Sequence, residues 1–368
     1  MKKKAVLAIW MLTMVFAGAA RADDVSELKN QLVEQQKLLL QMQQRIEQLE
    51  ATQKVQEQQV DEKISKAVEN KQIEVLPDNL KWVENVKFNG DLRYRHESID
   101  SQANGDWRAG RTRHRIRARL GMDAKINDDW DATLRIASGS ADPVSTNQTL
   151  EDGFSSKSIW LDLAYFTWHP SSIKGLNVYG GKMKNPFYKA GGNQLIWDDD
   201  LNPEGIAASY EIPFGKADKL YINGGGFWVN ETSAGADTTL WGAQSYLKHT
   251  FENKNYMLGG VSYFAYSSIK GHGDLQNTWA STSHSFFGNT SSGGTFASGF
   301  DIFEAFGEYG FTIADKPAAL YGSYVKNVAA SDTGWLIGGR FNKAKAPGTW
   351  EVNYNYRDLQ ADAVLGAF

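Results

Sequence analysis

The stretch between positions 111 and 126, with the sequence RTRHRIRARLGMDAKI, constrains the fold of this chain more than any other part. Arginine occupies every odd position in its first half, namely Arg111, Arg113, Arg115, Arg117 and Arg119. The even positions, from Thr112 to Ile126, are mostly apolar. Because side chains alternate between the two faces of a strand, this period of two predicts an extended strand with one basic and one apolar face. A helix would distribute the same arginines around its circumference.

A row of arginines along one face of a strand requires water or acidic partners, since neighbouring like charges repel each other. A transmembrane β-barrel provides this environment, because one face of each strand meets lipid and the other lines an aqueous channel. A nucleic-acid groove is the competing interpretation of an arginine row. The formal net charge of −4 and the apolar face of the same strand argue against nucleic acid as a partner. We therefore expect an all-β, antiparallel, transmembrane β-barrel.

The composition agrees with many strands that are joined by turns. The 368 residues include 35 glycines and 8 prolines, and the 12 Trp, 15 Tyr and 18 Phe suit the aromatic girdles of a membrane barrel. This length accommodates one large barrel and an appendage. The chain contains no cysteine, which excludes disulfide bonds and thiolate metal sites.

Residues 1–22 have the pattern of a secretory signal peptide. Three lysines at positions 2–4 precede an apolar run over residues 5–16, and Ala20 and Ala22 are small residues of the kind found at cleavage sites. We expect cleavage before Asp23. A membrane-anchor helix is the alternative, but the apolar run is too short to span a bilayer comfortably.

Residues 23–76 are predicted to form a coiled-coil oligomerisation segment. The stretch 25–70 is rich in Gln, Glu, Lys and Leu and contains neither Gly nor Pro, which favours one long helix. One heptad position is apolar in its first half, with Val25, Leu32, Leu39 and Ile46. Because so narrow an apolar stripe does not stabilise an isolated helix, the pattern predicts self-association, for which we expect a homotrimer. A solvated monomeric helix or a disordered spacer is the alternative.

After a linker at 77–85, the sequence predicts a β-barrel over residues 86–368. Apolar and polar residues alternate in about thirteen segments, the last at 349–359. Long polar connections, at 98–110, 138–157, 185–203, 230–238, 266–298 and 325–333, alternate with short turns near positions 128, 170, 213, 252, 315 and 347. Because bacterial single-chain barrels have even numbers of strands, we expect a C-terminally truncated barrel of a protein with about sixteen strands.

Six stretches resemble, in the same order, the putative porins of Gram-negative outer membranes. They are FNGDLRYR (88–95), RTRHRIRARLG (111–121), NDDW (127–130), STNQTL (145–150), GGKMKNPF (180–187) and WDDDLNPEG (197–205). The resemblance implies a sixteen-stranded channel for passive diffusion, often with an N-terminal coiled coil and trimeric assembly. A weaker similarity to phosphate-selective porins lies in the GKMKNPF stretch and in the arginine-rich strand.

The candidate channel-lining residues are arginines on the polar faces of three predicted strands: Arg93, Arg95, Arg111, Arg113, Arg115, Arg117, Arg119 and Arg135. Fixed charges in a narrow aqueous lumen concentrate counter-ions, so we expect a preference for anions. By analogy with general porins, the connection 185–203 is the candidate constriction loop. Its acidic residues, with the one just beyond, are Asp198, Asp199, Asp200 and Glu204, and they would face the arginines across the pore.

Two other interpretations of these charges remain open. Asp91, Glu97 and Asp123 could neutralise the arginines in salt bridges that serve rigidity and not transport. The aspartates at 198–200 could bind a divalent cation, although three consecutive acids do not form an EF-hand pattern and are more typical of a solvated loop.

The sequence favours a transport protein over an enzyme. The six histidines are scattered, and none belongs to a recognisable metal or nucleophile motif, so we expect no enzyme activity and no cofactor. The alternative function is a coiled-coil envelope tether that is anchored by the barrel. In both cases the barrel would lie in the cell outer membrane, in contact with lipid and lipopolysaccharide. The coiled coil would lie in the periplasm near peptidoglycan, and the porin would pass small hydrophilic solutes.

Overall fold

The computed structural model describes residues 78–100, 102–103, 106–107, 110–233, 235–273, 275 and 286–368, together with Lys37 and Arg45, which are helical. The predicted signal peptide and, apart from those two positions, the predicted coiled coil lie outside the described residues. The chain divides into two units after Asn79, and the second, Leu80–Phe368, contains every strand that the structure describes. Among the described residues, no helix has both the length and the apolar character needed to cross a membrane.

A short 3₁₀ helix, Asp78–Asn85, precedes the first strand, and a second 3₁₀ turn, Ala190–Gly192, lies between β8 and β9. The strands are β1 (Val86–Ile99), β2 (Gln102–Ala103), β3 (Asp106–Trp107), β4 (Arg111–Lys125), β5 (Trp130–Ser138), β6 (Gln148–Thr149), β7 (Ile159–Trp168), β8 (Leu176–Lys182), β9 (Glu204–Phe214), β10 (Asp218–Asn230), β11 (Thr238–Thr250), β12 (Tyr256–Tyr266), β13 (Ser291–Ser292), β14 (Thr295–Phe296), β15 (Phe300–Ile313), β16 (Lys316–Asn327), β17 (Thr333–Asn342) and β18 (Glu351–Leu359).

Fourteen of these strands form one antiparallel sheet, in the order β1-β4-β5-β7-β8-β9-β10-β11-β12-β15-β16-β17-β18, with β6 paired to β4. The long strands therefore pair with their neighbours in the chain, as successive hairpins do. Two small hairpins, β2-β3 and β13-β14, are separate from this sheet. The prediction of an all-β antiparallel fold is confirmed, and the predicted last strand corresponds to β18. Within the described residues, β1 and β18 form the two edges of the sheet.

The two faces of the sheet differ in chemistry. The outer face carries exposed apolar side chains, among them Leu92, Leu120, Trp241, Val261 and Ile337. The inner face carries buried polar side chains, among them Asn223, Gln244, Ser262, Glu304 and Ser323. This alternation follows from the strand period of two. The predicted division of the arginine strand is also present, since the arginines of β4 from Arg113 to Arg119 share the inner face and Leu120 is 55% exposed on the outer face.

The alternation of residues in the sequence predicts a common face for Ile159, Leu161, Leu163 and Tyr165 in β7, and this prediction is wrong. Ile159 and Leu161 are exposed, whereas Leu163 is 1% exposed and Tyr165 packs against the core. The register between β5 and β7 shifts at this point, because Arg135 pairs with Leu163 and the next residue of β5 pairs with Leu161. One extra residue in a strand reverses the faces of all residues beyond it.

The hydrophobic core lies between the inner face and the connection that joins β8 to β9, which we call the inward segment (residues 183–203). Buried side chains of this segment include Met183, Phe187, Leu195, Trp197 and Leu201. They cluster with buried side chains of β10 to β17, among them Phe227, Phe264, Phe300 and Leu336. Burial of this apolar surface holds the inward segment along the inner face. The core therefore places a long connection opposite the arginine strand.

Candidate functional site

The candidate site begins with a cluster of arginines on the inner face of β1 and β4. The antiparallel register places Arg93 opposite Arg117 and Arg95 opposite Arg115. Like charges that lie directly opposite each other destabilise a sheet unless other groups compensate them. We call the inner-face arginines the arginine wall, which consists of Arg93, Arg95, Arg113, Arg115, Arg117, Arg119 and Arg135.

Two carboxylates of β1 form ion pairs with five of these seven arginines. Asp91 accepts hydrogen bonds from Nε of Arg117 (2.9 Å) and from Nε of Arg119 (2.6 Å). Glu97 forms ion pairs with Arg95 and Arg113, and its Oε1 lies 4.0 Å from Nη1 of Arg115. Each acid therefore serves more than one arginine. These pairs agree with the expected salt bridges to Asp91 and Glu97.

The expected salt bridge to Asp123 is wrong. Its carboxylate accepts hydrogen bonds from Nδ2 of Asn89 (2.7 Å) and from Oγ1 of Thr133 (2.8 Å). The register explains this choice, because Asp123 lies opposite Thr133 in β5 and opposite Lys87 in β1. Arg111 is also separate from the arginine wall. It occupies the exposed start of β4 and makes no ion pair with another described residue.

The connection between β5 and β7 covers the arginine wall. Arg93 donates to Oδ1 of Asn147 (2.5 Å), and Arg115 donates to the carbonyl oxygen of the same asparagine (2.7 Å). This position is fixed by β6, in which Gln148 pairs with Ile116 of β4. The contribution of Asn147 was not predicted, because a single asparagine in a polar loop gives no sequence signal. The loop thus supplies neutral acceptors that leave the charge of the arginines unchanged.

Arg135 is held by the bulge in β7. Its Nε donates to Oδ2 of Asp162 (2.5 Å), and Asp162 is buried. The other carboxylate oxygen of Asp162 accepts a hydrogen bond from Nδ2 of Asn202 in the inward segment (2.7 Å). Asp162, the extra residue in β7, therefore connects the arginine wall to the inward segment.

The inward segment brings only one of its predicted acids to the arginine wall. Oδ1 of Asp200 lies 3.8 Å from Nη1 of Arg119 and 4.0 Å from Nη1 of Arg117. Asp199 instead pairs with Lys189 of the same segment, and Glu204 pairs with Lys182 (2.8 Å). Among the described residues, no group of three or more His, Asp or Glu side chains is arranged to hold a metal ion.

Asp198 forms no ion pair with the arginine wall, whereas Asp200 does. Its backbone N–H donates to the carbonyl oxygen of Phe368 (2.7 Å). Its carboxyl group is half-buried, and this burial raises the pKa of Asp198 above its ordinary value, with a smaller contribution from the charge of Asp200. A carboxyl group with a raised pKa carries its charge over a narrower pH range.

The arginine wall keeps a net positive charge after these pairings. Six of the seven guanidinium groups form ion pairs with four carboxylates, those of Asp91, Glu97, Asp162 and Asp200, so among the described residues the arginines of the wall outnumber their ion-paired acids by three. Asp142 acts on Arg115 from beyond ion-pair distance. The side chains of Arg95 and Arg113 remain 38% and 23% exposed. The site thus consists of a basic surface against which the inward segment places one carboxylate, that of Asp200.

A buried carboxylate on the opposite side anchors the inward segment. Oε2 of Glu308 accepts hydrogen bonds from the Tyr188 hydroxyl (2.7 Å) and from the backbone N–H of Gly191 (2.6 Å). Its Oε1 accepts from the Tyr256 hydroxyl (2.6 Å) and from Nη2 of Arg340 (2.7 Å). We call Glu308 with these four donors the clasp. Burial and the neighbouring Glu308 carboxylate raise the pKa of Tyr188, which keeps this hydroxyl protonated as a donor.

Two further contacts fix the same part of the inward segment. The side chain of Gln244 exchanges two hydrogen bonds with the backbone of Tyr188, with lengths of 2.7 and 2.9 Å. Gly191 adopts a positive φ of 63°, and a side chain at this position would overlap the ring of Tyr321. Sequence reasoning missed these anchors. The available signal was the inner-face series of β15, in which Glu304 and Glu308 interrupt apolar residues at a period of two.

Comparison with known proteins identifies the family. The family model described as "putative porin" matches residues 99–305, which is more than half of the chain. The chain belongs to the putative porin family. No curated protein matches the chain.

Three solved structures show likeness to this putative porin at low identity. OprB of Pseudomonas putida is 12% identical, with coverage of 75% of this chain and 76% of that chain and a TM-score of 0.47. The trimer form of OmpT from Vibrio cholerae is 12% identical, with coverage of 74% and 88% and a TM-score of 0.40. OmpF of Salmonella typhi, in complex with daunomycin, is 9% identical, with coverage of 74% and 89% and a TM-score of 0.40.

Proposed function

We propose that this chain is an outer-membrane porin that lets small hydrophilic solutes and ions diffuse passively, with a preference for anions. The observation that carries the proposal is the arginine wall, whose seven guanidinium groups outnumber their four ion-paired carboxylates and which faces the inward segment. Membership of the putative porin family supports the same function.

A transmembrane barrel explains why the two faces of the sheet have opposite chemistry. Exposed side chains such as Leu120, Trp241 and Ile337 suit contact with lipid and lipopolysaccharide on the outer face. Buried polar groups and the arginine wall suit an aqueous interior. Antiparallel pairing of successive strands satisfies the backbone hydrogen bonds that lipid cannot satisfy.

The preference for anions follows from the charge excess. Fixed positive charges in a narrow lumen with low-dielectric walls raise the local concentration of anions and lower that of cations. Asp200 faces Arg117 and Arg119 at about 4 Å, so opposite charges border the passage. These charges at the border of the passage orient water and dipolar solutes beside them, and apolar solutes pass less readily. The inward segment would then be the constriction of the pore.

The N-terminal parts complete the proposal. Residues 1–22 would direct export, and residues 23–76 would form a periplasmic coiled coil that holds three copies together near peptidoglycan. The heptad positions with Val25, Leu32, Leu39 and Ile46 support this assembly.

Single-channel recording of the full chain in a planar bilayer under a KCl gradient tests the function. We expect steady openings with a reversal potential on the anion side. The double variant Arg115→Gln/Arg117→Gln should shift the reversal potential towards cations, because it removes two charges from the wall and leaves its carboxylates in place.

The control for this experiment is Lys216→Gln. It removes a positive charge from an exposed turn between β9 and β10 and should leave the selectivity unchanged. An unchanged reversal potential in the double variant would contradict the assignment of the arginine wall to the permeation path. Absence of conductance from correctly folded protein would instead favour an envelope tether.

A further inference from the structure

Residues 360–368, which follow β18, pack on the inner face of the sheet beside the inward segment, and we call them the strap. The side chains of Ala363, Leu365 and Ala367 are buried and belong to the same hydrophobic core as the inward segment. Burial of these apolar groups holds the strap against the interior. The strap is therefore a packed part of the interior, although it contains no helix or strand.

The side chain of Asn289 fixes the path of the strap. This asparagine lies in the connection between β12 and β15 and is buried. Its Nδ2 donates to the carbonyl oxygens of Ala361 and Val364, both at 2.8 Å. Its Oδ1 accepts a hydrogen bond from the backbone N–H of Gly366 at 2.8 Å. Both amide donors and the amide oxygen thus satisfy backbone groups of the strap, which a segment without regular secondary structure cannot satisfy by itself.

A chain of contacts leads from the strap to the arginine wall. The carbonyl oxygen of Phe368 accepts a hydrogen bond from the backbone N–H of Asp198 at 2.7 Å. Oδ1 of Asp198 accepts a hydrogen bond from the backbone N–H of Asp200 at 2.8 Å. Oδ1 of Asp200 lies 3.8 Å from Nη1 of Arg119. Because each contact restrains the next residue, the position of the strap influences where the carboxylate of Asp200 meets the wall.

The other anchors of the inward segment lie on either side of this contact. The clasp holds Tyr188 and Gly191, which precede it in the chain. Asn202, which follows it, donates to Asp162 of β7. Between these anchors, Asp198 makes its backbone hydrogen bond to the strap. The strap is thus placed to restrain the part of the inward segment that carries Asp200.

We propose that Asn289 is a positioning residue for the selectivity of the channel, because it fixes the strap and the strap holds Asp200 against the arginine wall. Release of the strap lets Asp200 move away from Arg119. The positive charge at the border of the passage then rises, and with it the preference for anions. The step that concerns selectivity rests on the proposed function, whereas the anchoring of the inward segment does not.

Hydrogen-exchange mass spectrometry of the detergent-solubilised full chain tests the anchoring without a need for conductance. Asn289→Ala removes three hydrogen bonds to the strap, each of which favours the attached state by a factor of about five. Exchange in the peptides that contain Gly366 and Asp198 should therefore accelerate roughly a hundredfold, because their amides exchange from the released state. The control is Ser292→Ala, an exposed serine of the same connection, which should leave this exchange unchanged.

A second variant covers the case in which Asn289→Ala does not fold. Asn289→Asp keeps the size of the side chain and the oxygen that accepts from Gly366, but it loses both donors to the strap. It should accelerate the same exchange by at least about tenfold.

Planar-bilayer recordings under a KCl gradient test the step that concerns selectivity. Asn289→Ala should shift the reversal potential towards anions, in the same direction as Asp200→Asn and by no more than that variant does. The double variant should show the shift of Asp200→Asn alone, because the strap acts through the Asp200 carboxylate. A merely structural effect of Asn289 on the pore would add to that shift.

A cross-link supplies a rescue, since the chain contains no native cysteine. Gln194 and Gln360 line a cavity of about 460 Å³ between the inward segment and the strap, and cysteines at both positions can be joined by a bis-maleimide. In the Asn289→Ala background, the cross-link should slow the exchange of the inward segment and return the reversal potential towards the value that is measured with Asn289 in place.

Three results would overturn the proposal: unchanged exchange in the Asn289 variants, no shift of the reversal potential in Asn289→Ala, or a shift that adds to that of Asp200→Asn. A conducting protein with unchanged exchange keeps the porin and refutes the strap. Accelerated exchange in a protein that does not conduct supports the anchoring by Asn289 and refutes the porin.

Discussion

Replacement of Glu308 by glutamine should release the inward segment while the sheet stays intact. Two of the four donors to this buried carboxylate, the Tyr188 hydroxyl and the Gly191 N–H, belong to the inward segment. The other two, from Tyr256 and Arg340, belong to the sheet. Glutamine keeps the size of the side chain, but it replaces one acceptor oxygen with a donating NH₂ group. At least one pair of donors must then lose its acceptor.

The magnitude follows from the contacts. Each hydrogen bond to a charged group contributes about 1.5–3 kcal/mol, and a buried donor that loses its acceptor costs about 1–3 kcal/mol. If the two donors of the inward segment are affected, its attachment weakens by about 3 kcal/mol. At 1.4 kcal/mol per tenfold, the population of the released segment rises roughly a hundredfold.

Two measurements report the release. In single-channel recordings, the Glu308→Gln variant should show more frequent current fluctuations than the wild type, because the inward segment moves within the lumen. Limited proteolysis should cleave residues 183–203 faster in the variant. The matched control is Glu304→Gln, since Glu304 is also buried in β15 but accepts its hydrogen bonds from Ser262 and Ser323 of neighbouring strands, both at 2.7 Å.

The control separates loss of anchoring from general destabilisation of the sheet. Glu304→Gln should lower the thermal unfolding temperature without an effect on fluctuations or on cleavage of the inward segment. If the two variants behave alike, or if Glu308→Gln behaves like the wild type, the clasp does not hold the inward segment and the reasoning fails.

Three further predictions concern the inward segment. Asp200→Asn should shift the reversal potential further towards anions, because it removes the carboxylate that the inward segment places 3.8 Å from Arg119, whereas Asp199→Asn, which affects only the pair with Lys189, should not; equal shifts would contradict this. Gly191→Ala should lower the unfolding temperature more than Gly192→Ala. Both glycines have positive φ, but only the methyl group of an alanine at position 191 would overlap the ring of Tyr321, at a cost of about 1–3 kcal/mol. Equal losses in the two variants would exclude the overlap. Because the pKa of Asp198 is raised, the folded state binds the proton of this carboxyl group more tightly than the unfolded state does. The stabilisation from this proton is full below the ordinary pKa of an aspartate and is lost as pH rises through the pKa of Asp198 in the folded state. Proteolysis of residues 183–203 should therefore accelerate over that range in the wild type, and Asp198→Asn should remove this pH dependence; a pH dependence that persists in the variant would assign it to another group.

The strand pattern could be predicted from the sequence because it is local. Each residue of β4 alternates with its neighbours, so the arginines of one face and Leu120 of the other are separated by the geometry of the strand alone. The order of the hairpins followed from short turns, since these can only join adjacent antiparallel strands. The bulge of β7 escaped prediction because one additional residue, Asp162, is stabilised by its contacts with Arg135 and Asn202 and not by any local pattern.

The partners of the charged residues were only partly predictable. Asp91 and Glu97 could be recognised as partners because they share the inner face of β1 with the arginines. Asp123 was a wrong partner, since the cross-strand register places Thr133 beside it. Of the four predicted acids near the constriction, the structure places only Asp200 beside the arginine wall, because the path of the inward segment decides which side chain faces β4.

The sequence by itself determined an antiparallel sheet with an apolar face, a polar face and a row of inner-face arginines, because these features depend on residues that are close in the chain. Only the tertiary structure decided how the inward segment lies on the inner face and which acid meets the arginine wall. The clasp joins Tyr188 and Glu308 across 120 positions of the chain. Such contacts depend on the summed packing of the whole core, which no local pattern of residues specifies.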